Sequence, residues 1–162
     1  MSTSQFPPGS FRIDKRRVAA TVRLDTGAAL EGAFLCAGQT AGHSGRETVV
    51  DLLNGSSRFV PFFPDRSSSP VLVSTRAITV VELDAAERDG AGDEWSEARS
   101  VTIMLRAQGE ITGNVTIVAP VGHRRTLDLV NEGGSFVLLD AGARLLVVNL
   151  DLALIVADAS TA

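Results

Sequence analysis

The chain has 162 residues, with 15 lysine and arginine residues against 19 aspartate and glutamate residues, and a formal net charge of −4. Hydrophobic residues make up 44% and charged residues 21%, which is a globular rather than a disordered composition. The mild acidity disfavours a general nucleic-acid binder, which normally presents basic surface to phosphates, and the single cysteine, Cys36, excludes an intrachain disulfide.

The first half of the chain predicts a flexible lead over residues 1–11, followed by a series of short strands. Residues 18–24 alternate between two faces, as a half-buried strand does, and residues 25–27 form a turn of hairpin type. Gly32, inside the second strand, is typical of a sharp bend. Asn54 and Gly55 indicate a tight turn. The predicted strands are residues 18–24, 29–36, 47–53, 58–63, 71–74 and 78–83.

An acidic, glycine-containing stretch, residues 84–99, predicts a linker between the halves. Trp95 lies inside it, either as an anchor that holds the linker onto a neighbouring module or as a contact for a partner. No segment sustains apolar spacing of three and four residues, so we expect little helix. The strands predicted after the linker are residues 101–105, 111–119, 125–130, 135–139, 144–148 and 153–157.

The two halves repeat one order of residues. Asp51 and Asn54 are followed by a phenylalanine five residues after the asparagine, and Asp128 and Asn131 are followed by another at the same distance. Such a duplication predicts an all-β protein of two tandem, strongly bent, five-stranded barrel-like modules. The modules cover residues 12–83 and 100–158, with the linker between them and a tail at 159–162. The glycines that we expect at the hairpins and bends are Gly27, Gly32, Gly109 and Gly113.

The residues by themselves indicate that the aspartate and asparagine side chains bond the local backbone in turns. Their order also resembles the Sm-like fold of Sm, LSm and Hfq-type proteins, and it is similar to other small SH3-like barrels. The matching positions are Gly27, Leu30, Gly32, Asp51 and Asn54 in the first half and Gly109, Ile111, Gly113, Asp128 and Asn131 in the second. The resemblance implies small barrels that pair through strand edges, and RNA or nucleotide binding at the asparagines.

The second Sm-like motif normally carries an Arg-Gly pair before the last strand. Residues 74–76 (Ser-Thr-Arg) and 149–151 (Asn-Leu-Asp) stand at the corresponding places. Because an aspartate there repels phosphate, and because a chain without tyrosine supplies few stacking rings, nucleic acid is a disfavoured partner.

The sequence provides little material for catalysis. His43 and His123 lie in predicted loops and are interpreted as solvated, so we expect no metal site. Cys36 ends an apolar strand, where a buried, unreactive thiol is expected. The chain contains neither a nucleophile elbow nor a phosphate-binding loop. The prediction is a protein that is not an enzyme and needs no cofactor.

A basic cluster precedes the first strand and is either a solvated strand edge or an anchor for an acidic partner or a phosphate. We predict a non-catalytic interaction or scaffold module that assembles with a protein partner or with itself through exposed β-edges. The alternatives are an Sm-like RNA or nucleotide-binding regulator and a small-molecule sensor. The expected location is a bacterial cytoplasm, without membrane insertion. The candidate partner contacts are Arg12, Lys15, Arg16, Arg17 and Trp95.

Overall fold

The computed structural model describes residues 14–38, 45–88, 96–118 and 125–159. The predictions made for the lead at 1–11 and for Arg12, His43, Trp95 and His123 lie outside these residues. Neither of the two helices in the described part reaches the length and apolarity that a membrane-spanning helix requires.

Alternating apolar residues give long antiparallel hairpins, so the all-β prediction is confirmed. In β1, for example, Val18, Ala20 and Val22 are buried while their neighbours are not. The first half contains β1 (Lys15–Leu24), β2 (Ala29–Ala37), α1 (Val49–Leu53), β3 (Phe59–Pro64), β4 (Val71–Ser74) and β5 (Ile78–Asp84). The second half contains β6 (Ser96–Leu105), β7 (Gly109–Val118), α2 (Thr126–Glu132), β8 (Phe136–Asp140), β9 (Arg144–Asn149) and β10 (Ala153–Asp158). Single 3-10 turns follow β5 and β9.

The ten strands form one continuous sheet in the order β10-β6-β7-β8-β9-β5-β1-β2-β3-β4. Each half contributes five neighbouring strands in the same relative order, and the halves meet where β5 pairs with β9. The predicted closure into barrels is not found in the described residues, because the sheet ends at β4 on one side and at β10 on the other.

The third predicted strand of each half is a helix. The sequence predicts a strand at 47–53, yet α1 begins after Thr48. The Thr48 side chain accepts a hydrogen bond from the Asp51 N–H at 3.1 Å, and the Asp51 carboxylate accepts from the Thr48 N–H at 2.9 Å. This capping box starts the helix, and Val49 and Leu53, four residues apart, point into the core.

The strand predicted at 125–130 is replaced in the same way by α2. Here Asp128 accepts a hydrogen bond from the Arg125 N–H at 3.3 Å. The residues predicted as a linker also carry regular structure. Asp84 is the last residue of β5, and residues 96–99 belong to β6, because they pair with β7 as far as Val118.

The buried side chains form two clusters, and each cluster includes residues from both halves. The cluster of the first half contains Phe136, Leu145 and Val147 from the second half. The cluster of the second half contains Val80 from the first half. Two separate modules are therefore not confirmed, because the halves share a sheet and exchange core side chains.

Candidate functional site

The pairing of β5 with β9, called here the internal junction, joins the two halves through antiparallel backbone hydrogen bonds. Val81 lies opposite Val147 and Val80 opposite Val148, and all four side chains are almost fully buried. Burial of facing branched side chains is the main stabilising contribution of such a pairing.

The register of the hairpins defines equivalent positions in the two halves. Ala20 pairs with Gly32 in the first half as Val101 pairs with Gly113 in the second, and Phe59 pairs with Ser74 as Phe136 pairs with Asn149. By this register β4 is the equivalent of β9, and β10 is the equivalent of β5. The two strands that end the sheet, called here the open edges, are thus the counterparts of the two strands that meet at the internal junction.

Exposure differs sharply between equivalent positions. Leu72 on β4 is 71% exposed, whereas its counterpart Val147 is 0% exposed. Ile155 on β10 is 54% exposed, against 2% for its counterpart Val80. An apolar edge strand with unpaired backbone groups is a template for pairing with another chain. Large apolar side chains that are exposed on or beside the open edges are Phe59, Val71, Leu72, Leu127, Leu154 and Ile155.

Asn54 connects the halves across 82 residues of sequence. Its Nδ2 donates a hydrogen bond to the Phe136 carbonyl at 2.8 Å, and its Oδ1 accepts one from the Phe136 N–H at 2.9 Å. The Leu150 N–H donates to the Ser135 carbonyl at 2.7 Å, so both polar backbone groups of Phe136 point away from β9. The carboxamide of Asn54 therefore occupies the place that a neighbouring strand would take.

A glycine makes room for this contact. A Cβ built on Gly134 would lie 2.5 Å from the Cγ and Oδ1 of Asn54, which is far inside van der Waals contact. Gly134 is thus part of the binding geometry of Asn54, and a side chain at this position would displace the carboxamide.

Charged and polar side chains add further contacts across the internal junction. Arg144 on β9 donates to Glu82 on β5 at 2.6 Å, and Arg23 donates to the other carboxylate oxygen of Glu82 at 2.7 Å. Asn149, 1% exposed, donates from Nδ2 to the Ile78 carbonyl at 2.8 Å. Buried amides of this kind need such partners, because an unsatisfied group would destabilise the fold.

Arg88, in the first half of the chain, forms a bidentate ion pair with Asp140, in the second half, at 2.6 and 2.8 Å. The hydrogen bond from Arg88, followed by one from the Gly142 N–H, holds the pKa of Asp140 below its ordinary value. More than a third of each side chain is exposed to solvent, so the pair contributes orientation more than stability.

The predicted turn residues take helical positions. Asp51 and Asp128 lie in the first turns of α1 and α2, and Asn54 ends α1. Asn131 lies within α2 and donates from Nδ2 to the Leu127 carbonyl at 2.9 Å. The two asparagines, although equivalent in sequence, therefore have different partners, one distant and one local.

The hairpin and bend glycines lie where the backbone requires them. Gly27 and Gly109 have φ angles of +85° and +71°, a left-handed conformation that side chains disfavour. A Cβ on Gly32 would lie 2.2 Å from the Phe63 carbonyl oxygen, and one on Gly113 would lie 2.7 Å from the Leu139 side chain. These two glycines allow the neighbouring strand to approach closely.

The described members of the basic cluster at the start of β1 are separated by their contacts. Arg16 forms an ion pair with Glu87 at 2.6 Å, and Arg17 lies over the Phe63 ring at 6.0 Å from its centre. Lys15 is exposed at the first position of β1. The structure does not bring these side chains together into one described anion site.

Cys36 is buried, and desolvation, followed by the nearby Glu47 carboxylate, raises the pKa of its thiol to about 11. A thiol with so high a pKa is a poor nucleophile at neutral pH. Within the described ranges, no group of three or more histidine, cysteine, aspartate or glutamate side chains is placed to hold a metal ion.

The residues that distinguish the open edges were not identified from the sequence. Leu72 and Ile155 belong to ordinary strand patterns, and their importance depends on which strands end the sheet. Aligning the two halves of the sequence position by position would have paired them with Val147 and Val80, although the burial of those valines is visible only in the structure.

Comparison of the chain with protein-family models, with curated proteins and with solved structures finds no match in any of the three.

Proposed function

We propose that this protein is a non-catalytic interaction module whose copies assemble head to tail, β10 of one copy pairing with β4 of the next. The observation that carries the proposal is the internal junction, where the counterparts of these two strands already pair within one chain. The exposed apolar side chains on both open edges support it further, since pairing would remove them from water.

The two open edges are different surfaces, so the contact between copies is heterologous. A heterologous contact leaves one unused edge at each end of a growing chain of copies. Such assemblies either close into rings or extend into filaments. A scaffold built in this way presents many identical surfaces to other molecules.

Single-edge variants test the proposal. Leu72→Asp introduces a charge on β4, and Ile155→Asp introduces one on β10, both at side chains that are more than half exposed, so the monomer should keep its fold. Val118→Asp is the matched control, because Val118 is 65% exposed but lies on β7, inside the sheet. Light scattering over a concentration series measures the mass of each variant.

We expect assemblies for the natural chain and for Val118→Asp, and monomers for each edge variant. A mixture of the two edge variants should form dimers and nothing larger. Leu72→Asp keeps an intact β10 and Ile155→Asp keeps an intact β4, so each copy can pair through one edge only. A natural chain that remains monomeric at all concentrations, or edge variants that assemble as the natural chain does, would refute the proposal.

The RNA or nucleotide-binding alternative has one favourable observation. A polar cavity of about 470 Å³ lies beside Asn54, and Arg76 contributes a positive charge to its wall. Asp151 lines the same cavity, and the amide of Asn54 is already engaged by Phe136. Assembly through the open edges therefore has the stronger support. Salt-dependent binding of single-stranded RNA by the natural chain, lost in Arg76→Ala, would favour the alternative.

A further inference from the structure

We infer that the contact between copies, called here the outer junction, repeats the register of the internal junction but lacks its polar contacts, which makes it a reversible apolar contact. This inference rests on the proposed head-to-tail assembly and names the partner surface: β4 of a second copy, with Leu72 opposite Val156. It follows from comparing each residue of the internal junction with its equivalent on the open edges.

The register comes from the equivalent positions. Val81 lies opposite Val147 at the internal junction. Val156 is the counterpart of Val81, because both pair with equivalent positions of the neighbouring strand, Ile103 and Val22. Leu72 is the counterpart of Val147. A second copy in the same register therefore brings Leu72 opposite Val156.

The ion pair of the internal junction has no counterpart on the open edges. Glu82 corresponds to Ala157. Arg144 stands three residues before Val147, and the residue three positions before Leu72 is Ser69, in the bend that precedes β4. Neither replacement carries a charge. The outer junction should therefore respond little to salt, unlike one that depends on exposed ion pairs.

The asparagine contact is also hindered on the open edges. Asn131 is the equivalent of Asn54, but Ser57 stands where Gly134 makes room for the carboxamide. A serine Cβ at this place would displace an amide held as that of Asn54 is held, and Asn131 already donates to the Leu127 carbonyl. The buried amide of Asn149 is replaced as well, by the shorter Ser74.

Apart from Asp158 at the end of β10, whose carboxylate accepts a hydrogen bond from the Thr126 hydroxyl, what remains at the outer junction is backbone pairing and apolar contact. Phe59, Leu72 and Ile155 are among the exposed apolar side chains. Within one chain the internal junction does not depend on protein concentration, because its two strands belong to the same chain. Between copies the same geometry, without its polar contacts, gives an association that depends on concentration and reverses on dilution.

Cysteine pairing tests the register. Leu72→Cys and Val156→Cys are made in separate chains, mixed and oxidised, so that a disulfide between the new cysteines can form only across the outer junction. Directly opposite residues of antiparallel strands are close enough for a disulfide. The natural Cys36 should not interfere, because it is buried and its pKa is raised to about 11. Ile155→Cys mixed with Leu72→Cys is the control for a register shifted by one residue.

We expect the mixture of Leu72→Cys and Val156→Cys to give cross-linked dimers, and the mixture with Ile155→Cys to give far fewer. Cross-linking that favours Ile155→Cys, or that is absent while light scattering still shows assembly of the natural chain, would overturn the register and leave the proposed function standing. A monomeric natural chain would overturn both.

Restoring the missing ion pair tests the second part of the inference. A chain with both Ser69→Arg and Ala157→Glu should associate up to about fivefold more tightly than the natural chain, and this gain should disappear in high salt. The matched control carries Ser69→Glu with Ala157→Glu, which places like charges together and should weaken association. If the natural chain already loses association steeply in high salt, or if the two double variants behave alike, the outer junction is not an apolar contact of this geometry.

Discussion

Replacing Asn54 with alanine removes both hydrogen bonds that this side chain forms with the backbone of Phe136. A hydrogen bond of this kind contributes about 0.5–1.5 kcal/mol, so two contribute about 1–3 kcal/mol. Asn54 itself is exposed, and water can reach the vacated groups in part. We therefore expect a loss in the lower part of this range, about 1–2 kcal/mol, which for a chain of this length corresponds to a fall in Tm of about 3–6 °C.

Urea unfolding and calorimetry, at one fixed protein concentration, measure the loss. Asn131→Ala is the control, since that asparagine bonds only its own helix, and a change below about 0.5 kcal/mol is expected. Asn54→Asp keeps an acceptor for the Phe136 N–H but brings a carboxylate to the Phe136 carbonyl, and should be at least as destabilising as alanine. Equal stabilities of Asn54→Ala and Asn131→Ala would refute the assignment of Asn54 as the connection between the halves.

Other positions allow equally direct tests. Gly32→Ala should lower the free energy of unfolding by about 3 kcal/mol, because the added Cβ meets the Phe63 carbonyl oxygen. Gly45→Ala is the control and should be near neutral, since there is open space around its Cβ. Equal losses of the two variants in chemical denaturation would contradict this reasoning. Cys36 should react with a thiol reagent at mildly alkaline pH only after unfolding, and fast reaction of the folded protein would count against its burial. Because the pKa of Asp140 is lowered in the folded state, the stabilisation from its pairing is present above about pH 4 and is lost as pH falls further. Arg88→Ala should raise the pKa of Asp140 in an NMR titration, and an unchanged pKa would exclude Arg88 as its main cause.

Local patterns were sufficient for the strands and their turns. The alternation in residues 18–24 and the turn glycines, Gly27 and Gly109, reflect interactions between neighbours in sequence. Such local preferences do not depend on where the strand or the turn lies in the fold. The same patterns misassigned residues 47–53 and 125–130. Adjacent β-branched residues such as Val49 and Val50 favour a strand, whereas the capping box at Thr48, with Val49 and Leu53 buried four residues apart, makes the first of these stretches a helix.

The candidate site was partly visible as a duplication. Asn54 and Asn131 stand at matching places in the sequence, and nothing near them indicates that one bonds Phe136 and the other its own helix. That difference depends on Gly134, a residue 80 positions away along the sequence from Asn54, which makes room for the amide.

The sequence alone therefore determined the all-β composition of the fold, its hairpins and its repeated order, because these depend on short-range periodicity and on backbone preferences. The tertiary structure decided which strands pair across the halves and which remain at the ends of the sheet. Pairing of β5 with β9 depends on burial and hydrogen bonding between residues 60 or more positions apart, and these interactions exist only once the chain has folded. The exposure of Leu72 and Ile155, on which the proposed assembly rests, is a consequence of that long-range choice.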